Sequence, residues 1–110
     1  MYKDYLECST ASKMVETDFW FFVYRIVDGY FEIRDMYIPK KFRSAVTFQS
    51  LKHNVFTTAK ESGCKIMKSK VYYANPKWRA LLWLYIKIHH FNLGLKTQSY
   101  QMIWKIIEEH

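Results

Sequence analysis

The chain has 110 residues, half of them hydrophobic and 19% aromatic, enough for one packed domain over residues 1–110 and too few for two. No apolar run approaches the roughly 20 residues that cross a bilayer, and Met1-Tyr2-Lys3-Asp4 lacks the basic-then-apolar layout of a secretory signal, so a cytoplasmic protein with no membrane contact is expected. The net charge of +7, carried mostly by lysine, draws polyanions without specifying one: nucleic acid, an acidic protein surface or a phosphate-bearing small molecule.

Residues 4–15 carry a loose helical pattern through Leu6, Cys8, Ala11, Met14 and Val15. Residues 19–27, rich in aromatic and β-branched side chains, read as a strand. Asp28-Gly29 follows, a pair that tolerates positive φ at both positions and closes a tight hairpin. The returning strand covers residues 30–38, and Pro39 stops it.

A helix is predicted over 45–62, because Phe48, Leu51, Val55 and Ala59 form one apolar stripe. Gly63 stands where a helix C-cap belongs. Residues 65–73 read as a strand, and the order strand, helix, strand implies a crossover to a parallel neighbour. Asn75-Pro76 opens a helix to about residue 90, apolar on two sides through Trp83, Leu84 and Ile88 and so expected to be buried on both. Asn92-Leu93-Gly94 breaks it, and residues 99–106 alternate as a closing strand with Tyr100, Met102, Trp104 and Ile106 on one face.

The segment 33–48 resembles the signature of the GNAT N-acetyltransferases. Members of that family often read I-E-D-L-Y-V-x-P-x-Y-R-G-x-G-I-G at this point, and Ile33, Asp35, Met36, Tyr37, Ile38, Phe42 and Arg43 match it or substitute closely without a gap. Glu61-Ser62-Gly63-Cys64-Lys65, Val71 to Asn75, Tyr85 and Phe91 resemble later family landmarks in order. The resemblance implies an α/β (α+β) fold: a mixed, mostly antiparallel twisted sheet of about five strands with two main helices, the N-terminal helices being truncated.

It further implies an acetyl-CoA site. Met36, Tyr37 and Ile38 on the strand, Arg43, Ser44, Ala45, Val46, Thr47 and Phe48 at the turn and helix start, and Asn75 would hold the cofactor, the helix N-terminus gripping its pyrophosphate. Tyr85 would be the acid for the leaving thiolate, and Glu32 or Asp35, placed on opposite faces by the strand period, a base. The family's glycines are replaced by Ser44, Val46 and Phe48, and its frequent glutamate by Arg34.

Beside each role stands a plainer one: Tyr85 as a core residue, Asn75 as a cap only, and Glu32 or Asp35 paired with an arginine or lysine. Cys8 and Cys64 read as reduced thiols, and His89-His90 with Cys64 or His53 lacks ligand spacing, so no metal site is expected. The replaced glycines favour a compact, phage-encoded type of GNAT protein that has lost the chemistry and acts as a binder or inhibitor; acetyl transfer to an amine is the alternative. In the binder, Trp20, Tyr30 or Trp104 would mark a protein interface or a homodimer. A nucleic-acid surface built from Lys40, Lys41, Lys65, Lys68 and Lys70 is a third reading.

Overall fold

The computed structural model of the chain describes residues 12–107. The elements run β1 (Lys13–Glu16), β2 (Phe21–Val27), β3 (Tyr30–Tyr37), a 3-10 turn (Lys40–Phe42), α1 (Ala45–Glu61), β4 (Ile66–Tyr72), α2 (Trp78–Trp83) continued by a π-helical turn (Leu84–Ile88), β5 (Asn92–Lys96) and β6 (Tyr100–Ile106). The six strands form one sheet in the order β1-β2-β3-β4-β6-β5. Among the described strands only β3 and β4 run parallel.

The hairpin between β2 and β3 turns where the sequence places it. Asp28 and Gly29 have φ of 51° and 80°, the left-handed pair that matches the twist of the flanking strands. Helix α1 begins at Ser44, whose Oγ accepts from the Thr47 N–H at 3.2 Å. It ends before Gly63, where φ is 79° and the N–H donates to the Lys60 carbonyl at 3.1 Å. Leu51, Val55 and Ala59 are its buried stripe.

The core lies between one sheet face and both helices. Phe22, Phe31, Ile33, Met67, Val71 and Ile103 from the strands meet that stripe, and Trp78, Leu81, Leu82 and Tyr85 of the second helical segment pack on the same cluster.

A bulge in β3 decides which side chains join this core. Val23 pairs with Asp35 and Tyr24 with Ile33, so Arg34 is the extra residue and the alternation slips by one across it. Phe31 and Ile33 face the core below the bulge, and Met36 and Ile38 pack against it above. Glu32 pairs with Arg25 and Asp35 with Val23. The two carboxylates therefore share the second face, where the unbroken period placed them on opposite ones.

Other expectations need correction. The predicted helix over 4–15 lies mostly outside the described residues, as does Cys8, and its last residues belong to β1. The second helix starts at Trp78, shifts to π geometry at Leu84 and, among the described residues, is covered on one side only: Trp83 is 59% exposed. Asn92-Leu93-Gly94 opens β5, whose residues are all exposed, so the sheet has six strands. In β6 the alternating side chains do share a face, but Gln101 and Ile103 are the buried ones. Trp20, expected at an interface, is 4% exposed and donates through Nε1 to Ser50 Oγ at 3.3 Å.

Candidate functional site

The parallel ladder between β3 and β4 runs from Tyr30 opposite Ile66 to Ile33 opposite Ser69 and stops there, though both strands continue to Tyr37 and Tyr72. It stops at the Arg34 bulge, which bends β3 away from its neighbour. The parting strands leave a notch that continues between the two helices as a cavity of about 660 Å³, within the usual size of small-ligand sites.

Asp35, Met36, Tyr37 and Ile38 line this cavity from β3, Arg43, Ser44 and Phe48 from the turn and α1, and Asn75 and Tyr85 from beyond β4. The structure thus brings together most of the residues singled out in the sequence. The side chains of Ala45, Val46 and Thr47 do not line it, nor does Glu32, which lies 3.0 Å from Arg25 and 3.9 Å from Arg34.

At the start of α1 the local hydrogen bonds show what is committed. The Phe42 and Arg43 N–H groups donate to the Pro39 and Lys40 carbonyls, Phe48 N–H to the Ser44 carbonyl, and Thr47 N–H to Ser44 Oγ. No bond of this kind engages the Ser44, Ala45 and Val46 amides, the orphan donors expected at a helix start. Val46 is 80% exposed. The Phe48 ring is half-buried, lines the cavity and stacks on His89 at 5.8 Å. Arg43 is anchored by its Nε to the Ile38 carbonyl at 2.9 Å, with its guanidinium over Tyr37.

The lining is strongly cationic. It includes Arg34, Arg43, Lys52, Lys70 and Lys77 and a single carboxylate, Asp35, whose Oδ1 accepts from the Met36 N–H at 2.9 Å. Asn75 caps a turn and not the helix itself: its Oδ1 accepts from the Lys77 N–H at 2.9 Å, and the helix begins one residue later. Lys68 and Lys70 lie over Tyr30 and Tyr100, and Lys40 and Lys41 sit in the 3-10 turn.

Tyr85 packs edge-on against Phe91 at 5.3 Å. Burial pushes its phenol up to about 12 from the ordinary 10.0, so it keeps its proton at any physiological pH. His89, weighed in the sequence only as a metal ligand, stands beside it with the rings 6.3 Å apart. Among the described residues no cluster of histidine, cysteine or acidic side chains is arranged to hold a metal ion, and no helix is long and apolar enough to cross a membrane.

No family model matches the sequence, and a search of curated proteins finds no match. Solved structures do match. A Bacillus subtilis acetyltransferase in complex with CoA superposes with a TM-score of 0.69 at 11% identity, over 96% of this chain and 84% of its own. An acetyltransferase of the GNAT family from Staphylococcus aureus gives 0.67 at 10% identity, over 96% and 76%. This chain has the GNAT fold. The PaiA N-acetyltransferase of Thermoplasma acidophilum, also in complex with coenzyme A, matches at 0.68 and 12% identity over 94% of this chain and 65% of its own. At such identities the likeness is one of GNAT architecture: the mixed sheet with its single parallel pair and the helices that follow each of those strands.

Proposed function

We propose that the notch binds an acyl thioester of coenzyme A, acetyl-CoA in the simplest case, and that the chain transfers the acyl group to an amine. One observation carries this reading: β3 and β4 part at the Arg34 bulge beside the uncommitted first amides of α1, with Tyr85 on the wall of the opening. The donor set suits the cofactor. Three free amides at a helix N-terminus and five lining cations offer what a pyrophosphate and a further phosphate require, and the edge of β3 above Ile33 has no ladder partner on the β4 side.

Coenzyme A would supply a thioester carbonyl already activated toward amines. Met36, Tyr37 and Ile38 would orient it along the strand edge, holding the reactants in line. Tyr85, protonated and shielded, is the proton donor for a departing sulfur. Asp35, the exposed carboxylate at the cavity, is the group that receives a proton from the incoming ammonium. Glu32 is set aside by its pairing with Arg25. A cytoplasmic setting agrees with the unpaired Cys64 thiol.

Thermal denaturation with and without CoA tests the reading. CoA at 100 times its dissociation constant should add about 2.7 kcal/mol, and the absence of any shift at millimolar CoA would remove it. A second reading, a compact phage-encoded binder or inhibitor without catalysis, is favoured by Ser44, Val46 and Phe48 in place of glycines and by apolar side chains left open on the second face, such as Ile106 and Tyr72. It expects CoA-independent association with a protein partner or a second copy.

A further inference from the structure

His89 is 7% exposed, and neither Nδ1 nor Nε2 has a hydrogen-bond partner. A buried imidazole in that state forfeits two hydrogen bonds, a cost that folded proteins rarely leave standing. The ring lines the cavity between Phe48 of α1 and Tyr85 of the π turn. What places it there is the π geometry itself: His89 N–H donates to the Leu84 carbonyl at 3.2 Å and Phe91 N–H to the Tyr85 carbonyl at 2.9 Å. Such single π turns inside helices recur at binding sites. The His89 carbonyl, fixed by Lys105 Nζ at 2.8 Å, holds the backbone under the ring.

The charged groups around it are Lys52 from α1, Lys105 from β6 and the adjacent His90. Burial and these charges hold the ring below the usual imidazole range, so it is neutral at pH 7. A neutral imidazole offers one donor and one acceptor. Phosphate and carboxylate groups only accept and would leave the second nitrogen orphaned. A chain bearing two secondary amides satisfies both, one C=O accepting from the ring N–H and the other amide's N–H donating to the bare nitrogen.

We propose that His89 is a ligand-recognition residue of the notch, donating to one amide of the coenzyme's pantetheine arm and accepting from the other. This rests on the reading of the notch as a coenzyme A site. Titrations of the whole chain with CoA, pantetheine and 3′,5′-ADP, followed through the ring nitrogen resonances of His89, test it. CoA and pantetheine should move those resonances and 3′,5′-ADP should not. His89→Phe should weaken CoA binding about 10- to 100-fold, as expected for two lost neutral hydrogen bonds, while leaving 3′,5′-ADP within about twofold. His89 resonances indifferent to pantetheine overturn the proposal even where the variant fails to fold, as does a folded His89→Phe that binds CoA like the wild type. Wild-type protein with no affinity for CoA removes the site reading itself, and this inference with it, before any variant is made.

Discussion

Replacing Tyr85 by phenylalanine removes the phenol and keeps the ring that packs on Phe91 and His89. The phenol titrates near 12 in the folded chain and at 10.0 in the unfolded one. The folded state therefore holds the proton longer, and its advantage is intact below pH 10 and disappears as pH climbs through that interval. At about 1.4 kcal/mol per pH unit the full loss is about 3 kcal/mol, of which about 1.4 kcal/mol has gone by about pH 11. Phenylalanine has nothing to ionise. Urea unfolding of both chains at about pH 8 and about pH 11, followed by tryptophan fluorescence, should show the wild type losing roughly 1.4 kcal/mol more than Tyr85→Phe over that range. Equal losses would mean the phenol is solvated, and would dismantle the argument that it retains a proton for catalysis.

Three further outcomes are expected. Tyr85→Phe should lower kcat for amine acetylation roughly 10²- to 10⁴-fold with CoA affinity nearly unchanged, as read by thiol release and by calorimetry. Asp35→Asn should depress the rate at neutral pH, whereas Glu32→Gln, which breaks a partly exposed ion pair with Arg25, should cost at most about 1 kcal/mol of stability and leave turnover alone. Ser44→Ala removes the N-cap of α1 and should cost about 1 kcal/mol, a fall in Tm of roughly 4–8 °C, while Ser44→Gly should cost only a few tenths.

Much of the architecture was legible because local chemistry and global pattern agree in this chain. Asp28-Gly29 admits one kind of hairpin, the stripe of Leu51, Val55 and Ala59 has the helical period, and Gly63 takes the positive φ that ends the helix. The bulge was not legible: Arg34 has no glycine or proline to announce it, and only the pairing across β2 reveals the slip. Strand β5 escaped notice because all five of its residues are exposed and Gly94 reads as a breaker. Gly94 is there because a Cβ would stand 3.3 Å from the Trp104 ring.

At the site, the positions of Tyr85, Ser44 and Asn75 followed from order along the chain. The π turn at Leu84–Ile88 did not, since one wide turn inside an apolar helix leaves no mark in its composition. Phe48, which the apolar stripe assigned to the core, lies half-buried on the cavity wall instead.

The supernumerary residue in β3 splits that strand into two independently phased halves. Below it, Phe31 and Ile33 are locked into the hairpin and the helix stripe, where a change of one methylene is felt throughout the core. Above it, positions 35–38 border an opening instead of a neighbouring strand, so their identities are free to follow whatever molecule the opening accommodates. Strand length is the constrained quantity: deleting Arg34 would invert the outer half, sending Met36 and Ile38 to the far side of the sheet and Asp35 and Tyr37 inward.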